Sequence, residues 1–270
     1  MQLTCYSSGE RPSTPVDEGA VFCVVLLEQV VSTEHSSYQQ AVPCGTGFAI
    51  SNKHVFTARH NCADADKEVP SMVGLVKEII FGGSIQQSAV IMLHHVESNA
   101  ADDWAVFERV EGEFASSVKI CTEGRLPDKR APIGIKDFPV GLIDTTSRTK
   151  LTASSVHVKV YQYEKRLPDA GAKRGRLVMK IGGPEYVPVE KVEDVIAVYG
   201  GRISGSNGAP YFNAAGEVVA FHEACIDGSD AGCSSDASYS HGWVLCRIPS
   251  FVTGYRGLTG TDISDVGADV

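Results

Sequence analysis

The apolar residues of this chain come in short runs rich in Val, Ile and Phe, and these runs are interrupted by Gly, Asn, Asp and Ser. Runs of this composition between turn-forming residues are typical of β-strands, and long segments with helical spacing are almost absent. The first half of the chain holds AVFCVVLLEQVV, CGTGFAIS, HVFTARH, SAVIMLHHV and DWAVFERV, and the second half holds SVHVKVYQY, RLVMKIGG, DVIAVYGGRI, GEVVAFHEA and SHGWVLCRI. The pattern predicts an all-β protein.

A looser stretch containing Pro and Gly, RLPDKRAPIGIKDFPVG, separates the two groups of runs. Two strand-rich halves joined in this way predict two β-barrels or sandwiches lying side by side. The expected division is an N-terminal tail (1–20), a first β-domain (21–125), a connector (126–150), a second β-domain (151–255) and a C-terminal tail (256–270).

The charge balance narrows the range of partners. The 24 basic and 33 acidic side chains give a net charge of -9, which repels nucleic acid and anionic membranes unless a local basic patch overrides it. A cluster of Lys173, Arg174 and Arg176 is better explained as a solvated loop. No run reaches the roughly 20 apolar residues of a transmembrane helix, and the N-terminus lacks the basic-then-apolar order of a secretory signal. We therefore expect an intracellular protein, cytoplasmic or nuclear, or a secreted one whose signal peptide has been removed, with neither nucleic acid nor membrane as a partner.

Two segments of the first half carry residue types suited to proton transfer. In CGTGFAISNKHVFTARHNC, a strand delivers His60 at its end, beside the small Ala58, where an imidazole can act as a general base. In ADDWAVFERV, Asp103 begins a strand, and Asp102 is one residue out of phase, so it should face the other way. Taken singly, a histidine at a strand end is more often structural, and an acid at a strand start more often caps a turn.

A third segment, GSNGAPYFNAAGEVVAFH, follows in the second half. In this order, the three segments resemble the histidine, aspartate and nucleophile loops of the chymotrypsin/trypsin-like serine proteases, and the resemblance covers roughly residues 21–252. It is closest in style to intracellular and viral members, because no Arg-Ile-Val-Gly-Gly sequence precedes the first domain and Ser206 stands where secreted trypsins have an activating Asp. The resemblance implies two six-stranded antiparallel β-barrels packed side by side, with a short C-terminal helix possible.

The resemblance also implies roles for individual residues. His60 would act as general base and acid, and Asp103 would orient its imidazole. Gly205 and residue 207 would supply the N–H groups of an oxyanion hole, and an extended polypeptide would bind in the cleft between the barrels. The family uses no cofactor, so none is expected.

The nucleophile position departs from the family, because Asn207 stands where the resemblance requires a serine. An amide has no proton that His60 could remove to make an oxygen nucleophile near neutral pH, so we expect this chain to be inactive. It would be either a Ser→Asn form of a protease or a natural pseudoprotease that binds peptides or partner proteins through the retained cleft. Two other interpretations are a loop shifted by one residue with Ser206 as nucleophile, which Gly208 and Pro210 argue against, and an unrelated β-sandwich in which Asn-Gly is a tight turn.

The cysteines raise two further questions. Cys44 and Cys62 flank the histidine segment much as a half-cystine pair does in secreted relatives, with one extra residue, so we expect them to be neighbours, either bonded or reduced. A second group could suggest zinc, but its spacings match no compact finger and we expect no metal site. That group comprises His222, Cys225, Cys233, His241 and Cys246.

The borders of a substrate pocket follow from the same resemblance, and they comprise Gly201, Arg202, Ile203, His222, Glu223 and Ala224. Gly201 stands where an acid would be required to receive Lys or Arg, so a basic preference is not expected. His222 aligns with a histidine that binds Gln or Glu side chains in picornavirus-type and some glutamate-specific relatives, and an imidazole can donate to such an oxygen. The alternative is an apolar slot between Ile203 and Ala224, which is favoured because Glu223 would repel an acidic group.

Overall fold

The structure is a computed structural model, and the residues that it describes are 18–31, 37–64, 66–80, 90–122, 127, 131–138, 150–162, 176–180, 183–187, 195–199, 207–226 and 239–263.

Strands of the first half close into a barrel. They are β1 (Val21–Val31), β2 (Ser37–Ala49), β3 (His54–Ala58), β4 (Met72–Val76), β5 (Glu78–Ile80), β6 (Ile91–Asn99) and β7 (Trp104–Arg109). All except β5 pair in the order β1-β2-β3-β7-β6-β4, and this six-stranded antiparallel sheet is closed. The apolar runs form these strands because alternate side chains line the barrel interior.

The remaining strands are arranged mainly in a further sheet. They are β8 (Lys119–Ile120), β9 (Pro132–Asp137), β10 (Lys150–Thr152), β11 (Ser154–Gln162), β12 (Arg176–Lys180), β13 (Gly183–Val187), β14 (Val195–Tyr199), β15 (Pro210–Phe212), β16 (Glu217–Ile226) and β17 (Tyr239–Val244). Seven of them pair in the order β15-β9-β11-β14-β17-β16-β8, and β15 pairs also with β16. Two smaller pairs are formed by β10 with β5 and by β12 with β13.

A helix, α1 (Pro249–Thr259), follows the last described strand. Proline stands in its first turn, where a missing N–H costs nothing, and Gly260 ends it with a left-handed φ of 70°.

Aromatic side chains join the barrel, the second sheet and the helix. The ring of Phe56 on β3 lies 4.9 Å from that of Phe221 on β16 and 5.2 Å from that of Phe251 on α1, centroid to centroid. All three side chains are buried. The edge-on ring contacts add to the stabilisation that burial provides. Residues 55–58 of β3 are all buried, so this strand is covered on both faces.

The all-β prediction is confirmed, with a closed six-stranded antiparallel barrel, a second sheet and a short helix. A second closed barrel and the domain boundaries stay predictions. Helix α1 extends through residues 256–259, which the sequence assigned to a tail. No helix in the described part of the chain has the length and apolar character needed to cross a membrane.

Candidate active site

His60 lies in a short 3-10 turn, Arg59–Asn61, that follows directly after β3. The turn is fixed from beneath by Arg59, whose buried guanidinium donates to the carbonyls of Asp64 (2.9 Å) and Lys67. A buried guanidinium needs several acceptors, and the loop after the turn supplies them. The backbone around His60 is therefore held on both sides.

Asp103 meets His60 because of the strand register. Ala58 at the end of β3 pairs with Trp104 at the start of β7, so the residues just beyond this pair lie at the same edge of the barrel. One carboxylate oxygen of Asp103 accepts from the His60 backbone N–H at 2.9 Å, and the other lies 2.6 Å from His60 Nδ1. The side chains are only 15% and 11% exposed, which strengthens the electrostatic attraction between a carboxylate and an imidazolium.

The backbone at Asp103 is itself unusual. Its φ is 53°, in the left-handed region that costs a residue with a Cβ about 1–2 kcal/mol. Its carbonyl accepts from the N–H of Arg59 at 2.9 Å, so three hydrogen bonds to the histidine segment hold it there. The carboxylate at Nδ1 therefore fixes the orientation of the His60 ring, an arrangement in which an imidazole can transfer protons through Nε2.

Asp102 faces away from His60 and binds the helix. Its carboxylate accepts from the hydroxyl of Ser250 on α1 at 2.5 Å, and Ser250 Oγ in turn accepts from the indole N–H of Trp104 at 2.8 Å. The residues on both sides of Asp103 are therefore fixed by one hydroxyl.

Residue 207 lies against the first barrel. The Asn207 carbonyl accepts from the backbone N–H of Thr46 at 2.9 Å and from Nδ2 of Asn61 at 2.9 Å. Asn61 directly follows His60, so the two segments that the sequence placed in one site do meet. The next residue, Gly208, has a φ of 83° and donates its N–H to the carbonyl of His222 at 2.7 Å.

Part of the predicted pocket border lies within the described residues. His222 is buried on β16, and its Nδ1 is 2.8 Å from the hydroxyl of Tyr211 on β15. Glu223 is also buried, and Ala224 continues the strand. Outside the described residues lie Gly201, Arg202, Ile203, the oxyanion-hole candidate Gly205 and Ser206.

Cys44 and Cys62 are reduced, and neither takes part in a disulfide. The pKa of the Cys62 thiol is raised well above its usual range, first by a hydrogen bond with Cys44 and then by burial. The two thiols are therefore neighbours, as expected. Of the possible zinc ligands, Cys233 and the side chains of Cys225 and His241 lie outside the described part.

Four residues that the sequence analysis did not single out contribute to this arrangement: Asn61, Thr46, Thr57 and Tyr211. A possible signal was their polarity within strongly apolar segments, because a buried polar group needs a specific partner. The identity of each partner was not predictable.

Comparisons with known proteins bear on the fold. No protein-family model matches the chain, and no curated protein does. Its structure is similar to the Rv3671c protease from M. tuberculosis in the active form, at 16% identity, TM-score 0.53, and coverage of 93% of this chain and 84% of that one. It is similar to the HtrA-type protease AlgW with a decapeptide, at 12% identity, TM-score 0.55, and coverage of 83% and 61%. It is also similar to the MamO protease domain from Magnetospirillum magneticum, at 11% identity, TM-score 0.51, and coverage of 87% and 96%.

The chain therefore has the trypsin-like protease fold, which these HtrA-type and related proteases share. At such low identity the likeness concerns the fold alone, and the chain spans 61% of the AlgW chain that it matches.

Proposed function

We propose that this chain is the scaffold of a trypsin-like serine endopeptidase, in an inactive form because Asn207 occupies the serine position. The observation that carries the proposal is the His60–Asp103 pair, with Nδ1 and the carboxylate 2.6 Å apart, beside a residue 207 bonded to the neighbour of His60. An unrelated β-sandwich gives no reason for three segments so distant in sequence to meet.

In this proposal each group has one chemical task. His60 takes the proton of the attacking hydroxyl and later gives it to the leaving amine, while Asp103 stabilises the imidazolium between these steps. The N–H groups of Gly205 and residue 207 stabilise the oxyanion of the tetrahedral intermediate. Removing the nucleophile of a serine protease lowers kcat about 10⁶-fold, so the Asn207 chain keeps only a small residual rate.

A second candidate is a natural pseudoprotease that binds an extended peptide or a partner protein through the same cleft. The conformation at Gly208 favours it, because this residue has the left-handed conformation and close approach that a nucleophile turn requires. One similar structure, that of AlgW, contains a decapeptide. The pairing of β15 with β16 supports a second closed barrel, which would form the other wall of the cleft.

The proposed ligand is a polypeptide whose pocket side chain is not Lys or Arg, since no acid stands at Gly201. His222 could donate to a Gln or Glu side chain, but it is buried at 2% exposure and bonded to Tyr211. Both facts favour a structural role for His222 beneath an apolar slot. We therefore propose that the pocket prefers an aromatic or aliphatic side chain of the ligand.

The test is the Asn207→Ser variant reacted with a fluorophosphonate probe, with the site of the adduct mapped by mass spectrometry. We expect labelling at residue 207 and none in the unmodified chain or in Asn207→Ser/His60→Ala. Labelling of the unmodified chain at Ser206 would show a shifted loop. Absence of labelling in a folded Asn207→Ser variant would overturn the protease scaffold, and a peptide-library binding screen on the unmodified chain would then test the second candidate.

A further inference from the structure

We propose that Asn61 is the positioning residue that sets residue 207 against His60, through a side-chain amide that connects the two halves of the chain. The inference rests on the proposed function, because it concerns the geometry of that same site. Asn61 would not touch substrate; it acts through the backbone of residue 207.

The amide belongs to a closed ring of hydrogen bonds. Asn61 Nδ2 donates to the Asn207 carbonyl at 2.9 Å and to Thr57 Oγ1 at 3.0 Å. Thr57 Oγ1 donates to the Thr46 carbonyl at 2.8 Å, and the Thr46 N–H returns to the Asn207 carbonyl at 2.9 Å. Both lone pairs of that carbonyl are thus engaged by the first barrel, which fixes its position in two directions.

The Asn61 side-chain amide is buried and closely packed against Gly45. Asn61 is 5% exposed, and a Cβ built on Gly45 would lie 2.2 Å from its Nδ2, so the absence of a side chain at Gly45 makes the space that the amide fills. Thr57 and Thr46 are fully buried. A donor lost from this ring leaves buried acceptors without a partner.

The orientation of the amide follows from its partners. Turning it over would place Oδ1 against the Asn207 carbonyl oxygen and against Thr57 Oγ1, whose own proton is donated to Thr46. In the observed orientation Oδ1 is buried without a hydrogen-bond partner, which is the smaller cost because it opposes no second oxygen. The site therefore requires a two-proton donor, and neither a carboxylate nor an apolar side chain meets this requirement.

Asn61 directly follows His60 in the same turn, so the ring links the imidazole and residue 207 through only a few bonds. A displacement of catalytic groups by about 1 Å can lower the rate by about 10²-fold. This makes the amide a determinant of rate in a chain that carries serine at position 207.

The experiment compares Asn61→Asp and Asn61→Leu in the Asn207→Ser background, with fluorophosphonate labelling rate and peptide kcat and KM as readouts. We expect the labelling rate and kcat to fall about 10²-fold while KM changes less than threefold. The matched control is Asn213→Asp, because Asn213 Oδ1 accepts from the N–H groups of Ala215 and Glu217, while its Nδ2 makes one long bond of 3.3 Å to Glu217 Oε2. An aspartate keeps those two bonds, so the control should retain its labelling rate within twofold.

A second readout does not depend on catalysis. In the unmodified chain, amide hydrogen exchange at Thr46 should accelerate at least tenfold in Asn61→Asp at pH 7, where a carboxylate repels the Asn207 carbonyl. Burial favours the neutral acid, which can donate once, so part of the protection, measured against the unmodified chain at the same pH, should return as the pH is lowered to 4. Asn61→Leu should show no return at low pH.

The outcomes separate the two proposals. Failure of Asn207→Ser to label removes the protease scaffold but leaves the exchange experiment to decide whether the ring exists. Labelling within twofold of Asn207→Ser in both Asn61 variants, or unchanged Thr46 exchange in Asn61→Asp, would overturn the role of Asn61. If Asn61→Leu does not fold, the pH dependence of Asn61→Asp decides.

Discussion

Replacing Gly208 with alanine should test how closely the residue-207 turn approaches the first barrel. A Cβ at this position would lie 2.2 Å from the Thr46 carbonyl oxygen, 2.8 Å from Thr57 Oγ1 and 3.0 Å from the Ala58 nitrogen. Two of these three atoms belong to the backbone, so no rotamer change can relieve the contact. The turn must instead move by about 1 Å, since ordinary Cβ contacts are near 3.4 Å or longer.

The cost of Gly208→Ala has two parts. The φ of 83° disfavours alanine by about 1–2 kcal/mol. Displacing the turn also breaks the Thr46 N–H bond to Asn207 or the Gly208 N–H bond to His222, and each buried group left without a partner costs about 1–3 kcal/mol. We expect a loss of roughly 2–5 kcal/mol, which corresponds to a fall in Tm of roughly 10 °C for a protein of this size.

The assay is thermal unfolding followed by near-ultraviolet circular dichroism, supported by urea denaturation at 25 °C. Gly257→Ala is the control, because nothing lies within 4 Å of a Cβ there and α1 should gain about 1 kcal/mol from the better helix former. Gly254→Ala is an intermediate case, since its Cβ would meet only the flexible end of Glu97 at 2.8 Å. A Gly208→Ala variant with a Tm within 2 °C of the parent would refute the close approach of the turn to the barrel.

Three further predictions concern other contacts. Ser250→Ala should lower the free energy of unfolding by about 1–3 kcal/mol, as measured by chemical denaturation, because the buried indole N–H of Trp104 loses its acceptor. An unchanged denaturation midpoint would contradict the link between the helix and the site. Cys62 should resist iodoacetamide at pH 8 in the native protein while half-buried Cys44 reacts first, because burial and a raised pKa keep the Cys62 thiol protonated. Mass spectrometry of the labelled peptides would show the order of reaction. Lys119 donates to Glu217 at 2.5 Å and lowers the pKa of that carboxyl, so Glu217→Gln should lower the Tm above about pH 4, and the difference should disappear as the pH falls through the lowered pKa. A difference in Tm between the two proteins that grows on acidification would oppose this.

Much of the fold followed from local pattern. The short runs rich in Val, Ile and Phe between turn-forming residues predicted strands such as β3 and β7, because β-branched and aromatic side chains fit the buried surface of a sheet whatever the partner strand. The order of the histidine, aspartate and residue-207 segments was likewise readable, as was the out-of-phase relation between Asp102 and Asp103, which the structure shows binding different groups. The closure of the first barrel could be expected from the resemblance but not from any single strand.

Other features depended on the tertiary structure. The left-handed φ of Asp103 has no sequence signal, because it exists only where three bonds to the histidine segment offset its cost. The hydrogen bond between Asn61 and Asn207 joins residues 146 positions apart.

The amino-acid sequence by itself determined which chemical groups this protein has and in what order they occur: an imidazole, a carboxylate and an amide in the nucleophile position. The tertiary structure decided which groups touch, and it made Asn61 a neighbour of both His60 and residue 207. The physical reason is the distance along the chain over which each kind of interaction acts. Strand propensity and side-chain alternation act within a few residues, whereas a buried hydrogen bond between segments forms only after the whole core has fixed both segments at the required distance.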